Sequence, residues 1–266
     1  MKAKKGNPSE ENAFEIDGGT LLRYSGSAEN VILPDGVAAI ADMAFLHRDE
    51  IRSVTFPQGL ERVNMAAFFG CKRLKKVRLP DTVKSIGPFA FGDCLSLEEI
   101  ILPDGLEFLA AEAFYGTAFY ECKENWENGA LYSGKHLIEA KELSGTYTVK
   151  DGTLTVSSGA FESCKSLKSV RLPSSLARIC FLAFGGCESL ENAEYADNCR
   201  AVSVDEYAFS GCEKLMRACL ERGDCAYCGG RSNGKASCPV CGRKIGGHPV
   251  NIVKTEEELD RRERNS

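Results

Sequence analysis

Apolar and polar positions along this chain alternate in short bursts that recur at a fixed interval. In Leu74, Val77, Leu79 and Pro80 the pattern is Leu-x-x-Val-x-Leu-Pro. Alternation of this period places every second side chain on one face of a β-strand. Proline then ends the strand, because it has no N–H to give to a ladder. Leu33-Pro34-Asp35-Gly36 suits a type I turn, with Pro at the second position and Gly at the fourth. A second extended piece follows, carrying residues such as Val83 and Ile86. Ala-Phe then turns the chain back toward the core, and Cys-x-x-Leu opens the next strand.

The interval is 23 residues. Pro34, Pro57, Pro80 and Pro103 are spaced by it, as are Phe45, Phe68, Phe91 and Phe114, and again Phe161 and Phe184. Phe209 follows 25 residues later. One such unit cannot bury its own apolar face, but stacked units can. The expected fold is a right-handed solenoid of parallel β-strands and turns with short helical segments. The period breaks between Phe114 and Phe161. There "GALYSGKHLIEAKELSGTYTVKDGT" is similar to the opening "IDGGTLLRYSGSAENVILPDGV". Two blocks of coils are therefore expected, opened by hairpin variants near 14–33 and 118–150, with Trp126 plugging the join. Near 211–222, Leu215, Met216, Cys219 and Leu220 make one apolar helical stripe that Gly223 can end. That helix is expected to cap the last coil.

The units, with Leu-Pro, Val, Ile, Ala-Phe, Cys and Leu in fixed order, resemble BspA-type leucine-rich repeats over roughly residues 14 to 215. The resemblance implies a leucine-rich-repeat solenoid that binds other proteins, since family members are often exported surface proteins with host or partner proteins as ligands.

Bulk properties narrow the choice. The chain has 266 residues, 43% hydrophobic and 27% charged, with a formal net charge of −5. This balance counts against a chain that coats nucleic acid along its whole length. After Lys2, Lys4 and Lys5 no apolar stretch of secretory type follows, and no apolar run is long enough to span a bilayer. A cytoplasmic location is expected on that basis, with an exported adhesin as the alternative.

The thirteen cysteines sort into groups. Cys71, Cys94, Cys164, Cys187 and Cys212 share one repeat position and should form a buried column of small apolar side chains, with disulfides as the alternative. Cys122, Cys180, Cys199 and Cys219 lack ligand spacing and read as structural thiols. Cys225, Cys228, Cys238 and Cys241 are spaced C-x2-C-x9-C-x2-C, with Gly229 and Gly242 directly after each pair. Two such turns can close a tetrahedral thiolate site, which resembles a short zinc ribbon. One structural zinc ion is expected, with iron, disulfides or no metal as alternatives.

Other signals weigh less. Gly229, Gly234 and Lys235 approach a phosphate-binding loop, but Ala236 stands where Ser or Thr would hold magnesium, and the loop has no room for its helix. Lys72, Arg73, Lys75, Lys76 and Arg78 crowd one coil, but Glu98 and Glu99 lie one period later, so a self-paired face is expected. His47, His136 and His248 have no catalytic partner at recognisable spacing and read as surface histidines.

The sequence therefore predicts a non-enzymatic scaffold whose outward strand rows, Ser53, Lys76 and Glu99 beside Thr55, Arg78, Ile101 and Arg171, meet a partner protein. Ile32 and Ile101 are the exposed apolar candidates in these rows. Arg231, Lys235, Arg243 and Lys244, with no acid nearby, give the ribbon a basic surface that could meet nucleic acid. No small-molecule substrate and no membrane insertion are expected. The expected divisions are a tail at 1–13, the solenoid at 14–222, the ribbon at 223–246, and a polar tail at 247–266. Thr255 and Glu258 give the last tail the capping signal of a short helix.

Overall fold

The computed structural model describes residues 13–162, 164–196, 202–225, 227–231, 233, 235, 237–241 and 243. The chain opens with an antiparallel hairpin, β1 (Phe14–Asp17) and β2 (Thr20–Tyr24). Four coils follow, each with two short strands: β3 (Asn30–Ile32) and β4 (Ala39–Ile40), β5 (Ser53–Thr55) and β6 (Arg62–Val63), β7 (Lys76–Arg78) and β8 (Ser85–Ile86), β9 (Glu99–Ile101) and β10 (Phe108–Leu109). The join carries a one-turn helix, α1 (Ala118–Glu121), then β11 (Trp126–Glu127), β12 (Ala130–Ser133) and β13 (His136–Ala140). The second block holds β14 (Gly145–Thr148), β15 (Thr155–Val156), β16 (Leu167–Leu172), β17 (Arg178–Ile179), β18 (Asn192–Tyr195) and β19 (Ser203–Val204), and ends in α2 (Glu213–Arg222).

Within each block two parallel ladders run along the stack. The outer ladders are β3-β5-β7-β9 and β14-β16-β18. The second ladders are β2-β4-β6-β8-β10 and β13-β15-β17-β19, each opened by its hairpin. The Ala-Phe corner makes a third set of links. Phe45 donates its N–H to Ala67, Phe68 to Ala90, and Phe91 to Ala113, at 2.7–2.8 Å. Phe161 and Phe184 do the same to Ala183 and Ala208. All of these alanines are fully or almost fully buried.

Each Phe therefore lies on the Phe of the next coil. Ring centroids in Phe45–Phe68–Phe91–Phe114 are 4.5, 5.2 and 5.8 Å apart, and those in Phe161–Phe184–Phe209 are 4.6 and 4.7 Å apart, all nearly parallel. The cysteine column is buried as expected, and each thiol has an acceptor in the coil before it. Cys71 Sγ points to Phe45 O at 3.2 Å, Cys94 to Phe68 O at 3.1 Å, Cys187 to Phe161 O at 3.3 Å and Cys212 to Phe184 O at 3.0 Å. A small side chain with a weak donor suits this position because the corner carbonyl, which already accepts the backbone N–H three residues on, has a second lone pair to offer the thiol.

The turn after each outer strand is shifted from the expectation. Leu60 N–H donates to Pro57 O, Val83 to Pro80 O and Leu176 to Pro173 O, each at 3.1 Å. Proline is thus the first residue of the turn, not the second. Its carbonyl, which the ring leaves available, closes the turn. Asp35 and Gly36 become the central pair after Pro34, and Gly36 has φ of 88°, a left-handed value that glycine adopts without steric cost.

The join is a wedge between two cores. Leu131 and Ile138 pack in the first core, whereas Ala130, Leu137 and Ala140 pack in the second. Trp126 packs against the first core, and its indole N–H donates to Tyr120 O at 2.7 Å. The outer ladders do not pair across the join, so the last outer strand needs other donors. Ser133 Oγ donates to Ile100 O at 2.9 Å, and His136 Nε2 lies 3.0 Å from Pro103 O. His136 is therefore fully buried, and the surface reading of it is overturned. It reaches the proline carbonyl of the turn that follows β9. His47 is exposed as expected, and His248 lies outside the described residues.

At the far end, Leu215 and Cys219 of α2 are buried, and Gly223 ends the helix with φ of 69°. Leu220, expected in the same apolar stripe, is 54% exposed. The helix rests on the coil through a narrower face than its sequence suggests. Cys180 is buried, Cys122 is half-buried, and Cys199 lies outside the described residues, as do Thr255 and Glu258.

Candidate functional site

The four cysteines of the double Cys-x-x-Cys pattern meet in one place. Their sulfurs all lie within 4.8 Å of one another. Cys225 and Cys241 Sγ are 3.7 Å apart, and Cys228 and Cys238 Sγ are 3.6 Å apart. A disulfide needs about 2.05 Å. A tetrahedral site with metal–sulfur bonds of about 2.3 Å places its sulfurs roughly 3.8 Å apart. The observed spacing fits the second geometry. Cys225, Cys228 and Cys238 are buried and Cys241 is half-buried.

Local backbone chemistry shapes each turn. Gly229 N–H donates to Cys225 O at 2.9 Å, Cys225 N–H to Gly230 O at 3.0 Å, and Gly230 N–H points at Cys228 Sγ at 3.4 Å. Gly229 has φ of 73°, and a Cβ there would come within 2.8 Å of Ala193 Cβ. Only glycine lets this turn approach the coil so closely. In the second turn, Cys238 N–H donates to Arg243 O at 2.7 Å.

Four packed sulfurs cannot all keep ordinary thiol acidity. Hydrogen bonds from Cys225 and then Cys228 lower Cys238 well below the usual range, and the same two donors bring Cys241 to about 7. Cys228 is pushed up by hydrogen bonding to Cys225 and Cys238. The cluster favours thiolates on Cys238 and Cys241, which is the form a metal binds.

The cluster does not stand apart from the solenoid. Cys225, Cys228, Cys238 and Val240 belong to the same core as Phe184, Phe209 and Leu215. The Tyr195 hydroxyl donates to Cys228 O at 2.9 Å, and Val202 N–H donates to Val240 O at 2.8 Å. Loss of water contact pushes Tyr195 well above its ordinary value, so it stays a donor. Arg243 Nη2 donates to Val204 O at 3.1 Å, and its guanidinium lies 5.0 Å from the Tyr227 ring centre. These contacts from Tyr195, Val202 and Arg243 have no counterpart in the repeat, so no sequence period signals them.

The four expected basic residues are placed differently from one another. Arg231 and Lys235 are exposed, Arg243 turns inward to the last coil, and Lys244 lies outside the described residues. On the outer face, Ser53 pairs in register with Lys76, Lys76 with Glu99, and Arg78 with Ile101. Lys76 Nζ is 2.6 Å from Glu99, and Arg171 in the second block is 3.0 Å from Glu194. Three of the five crowded cations of the third coil pair with carboxylates of other coils: Lys72 with Asp49 and Lys76 with Glu99 in adjacent coils, and Arg73 with Glu29 two coils away. Ile32, next to Thr55 in the ladder, is 66% exposed, while Ile101 is half-buried.

Stacked two-strand coils with a Phe and a Cys column define a leucine-rich-repeat solenoid. Residues 20–125 and 142–229 match the BspA type leucine rich repeat region in six copies, and the chain belongs to that family. Among solved structures it is similar to the leucine rich repeat protein TpLRR of T. pallidum, at 25% identity and a TM-score of 0.41, covering 82% of this chain and 95% of that one. It is also similar to a leucine-rich repeat protein from Eubacterium ventriosum, at 20% identity and a TM-score of 0.35 over 73% of this chain and 46% of that one. The pneumococcal vaccine antigen PcpA is similar at 18% identity and a TM-score of 0.33, over 66% of this chain and 62% of that one. No curated protein matches. Among the described residues no helix is long and apolar enough to cross a membrane.

Proposed function

We propose that the protein is a non-enzymatic scaffold that presents its outer strand rows to a partner protein, and that the four cysteines hold one structural zinc ion. The observation that carries the first part is the repeated outer surface. Each block has a shallow groove at the same corner of the coil, where an outer strand meets its proline turn. One, of about 400 Å³, is lined by Thr55, Arg78 and Asp81, and the other, of about 290 Å³, by Thr148, Arg171 and Glu194. Grooves at the same corner of both blocks, each with an arginine and a carboxylate in its lining, suit an elongated protein ligand.

Zinc suits the second part because four thiolates complete its tetrahedral shell. No position remains for substrate, so the ion's work is to close the end of the core. Sulfur spacings of 3.6 and 3.7 Å in the cluster, too wide for disulfides and suited to a bound metal, support a reducing, cytoplasmic setting. A nucleic-acid role for the ribbon draws less support, because Arg243 is engaged with Val204 O.

The test has two arms. Elemental analysis of untagged protein should find one zinc per chain, absent from a Cys225→Ser/Cys228→Ser variant. Partner capture with the intact chain should lose its protein ligand in Arg78→Glu/Arg171→Glu. Capture that survives this double charge reversal would remove the outer rows from the interface.

A further inference from the structure

Beside the join lies a groove of about 300 Å³ that neither the metal centre nor the outer rows use. Its lining includes Glu112, Tyr115, Tyr120, Glu139, Gly159 and Glu162. No lysine or arginine lines it. Among the described residues none of the three glutamates has an ion-pair partner within 4.0 Å, whereas many of the outer carboxylates do. The Tyr120 hydroxyl reaches both oxygens of Glu139, at 3.0 and 2.9 Å, and the Tyr115 ring lies 5.4 Å from that of Tyr120. Desolvation by burial, with a smaller push from Glu112, holds Glu139 above the usual carboxylate range against the Tyr120 hydroxyl and the nearby Lys141. A cation in the groove would relieve that cost.

The aromatic wall already attracts one cation of this chain. Lys141 Nζ lies 4.3 Å from the Tyr120 ring centre and 4.2 Å from that of Trp126. We infer that the groove receives an arginine or lysine side chain of the partner protein, seated against Tyr115 and Tyr120 and neutralised by Glu112, Glu139 and Glu162. A cation held by ring faces and carboxylates together gains from both. The three carboxylates do not converge closely enough to share one metal ion, as the four cysteines do. The volume takes the end of one side chain rather than a whole small-molecule ligand.

This inference rests on the reading that the chain binds a protein, but its test does not depend on finding that protein. The probe is acetyl-Gly-Arg-Gly-amide, with its citrulline counterpart as the neutral control, followed through the ring signals of Tyr115 and Tyr120 by NMR. The arginine peptide should shift both rings saturably and the citrulline peptide should not. Glu112→Gln and Glu162→Gln, both at the groove's accessible rim, should each weaken binding about two- to five-fold, as expected for loss of one partly exposed charge. Added salt should weaken it further. Equal shifts with citrulline, no shift with either peptide, or affinity unchanged in both variants would overturn the assignment. Competition by calcium at stoichiometric concentration would overturn it too, in favour of a metal site. Loss of partner capture in Arg78→Glu/Arg171→Glu is independent of all these outcomes, so failure of the groove and failure of the scaffold reading can be told apart.

Discussion

In the first block the Phe stack runs from Phe45 to Phe114 and meets Tyr24 of the opening hairpin at one end. At its other end, α1 seats on the last coil through Phe119 N–H to Leu97 O at 2.7 Å, and Tyr120 and Trp126 cover the side. In the second block the stack of Phe161, Phe184 and Phe209 ends against α2 and four sulfurs. The rungs are the same in both blocks, down to the thiol that answers the preceding corner carbonyl. What differs is the material that finishes the core. The first block has aromatic rings and a hairpin, which cover a coil by area alone. The second has a ten-residue helix with two buried side chains and a segment too small to hold its own core. A solenoid is uniform inside and decided at its ends, because an end coil lacks one neighbour.

Metal removal should separate the two blocks most sharply. Zinc binding in small four-ligand peptides is worth on the order of 10–16 kcal/mol. Chelation, or Cys228→Ser, should strip hydrogen-exchange protection from β18, β19 and α2 while β5 to β8 keep theirs. Equal loss in both blocks would break the comparison and make the two cores one cooperative unit.

Ring truncation comes next. Phe68 is stacked on both sides, by Phe45 and Phe91, and has no exposed surface. Phe209 is stacked on Phe184 alone. Phe68→Ala should cost about 3–5 kcal/mol in denaturant unfolding. Phe209→Ala should fall at or below the lower end of that range. A larger cost at Phe209 would mean that the end of the stack carries more than its interior.

The smallest effect belongs to the wedge. Burial lowers His136, while its contact with Pro103 O opposes that shift. Asp104 and Lys135, themselves paired, add smaller opposite pulls. The folded state therefore binds the proton less tightly than the unfolded chain, whose histidine titrates near 6.5. Stability from the neutral ring is present above about pH 6.5 and is lost as the pH falls below it, by at most about 1.4 kcal/mol per pH unit. The structure explains the sign, since Nδ1 is buried with no hydrogen-bond partner. His136→Gln removes the titration and keeps a donor toward Pro103. Unfolding free energies of the two proteins should diverge from each other between pH 7 and 5. A constant difference would place His136 in water.

Much of this architecture was legible in advance. The Pro and Phe intervals predicted the coils, the cysteine column and the Lys76–Glu99 pair, because each of those contacts joins residues one period apart. The break after Phe114 located the join, and its similarity to the opening segment predicted the second hairpin. The double Cys-x-x-Cys pattern named four residues whose sulfurs do meet. The turn was misplaced by one residue, because Leu-Pro-Asp-Gly satisfies two turn registers and only the Pro57, Pro80 and Pro173 carbonyls choose between them.

The amino-acid sequence by itself determined what repeats. A contact at a separation of 23 is written many times over, as in Ser53 to Asn30, Lys72 to Asp49 and Arg171 to Glu194. The tertiary structure alone decided the contacts that occur once. Tyr195 reaches Cys228 across 33 residues, Arg243 reaches Val204 across 39, Ser133 serves the open edge of β9, and His136 meets the turn after it. Each depends on where two surfaces come to rest after the coils have stacked. A period encodes neighbour contacts, and the ends of a stack are where a coil has no neighbour of its own kind.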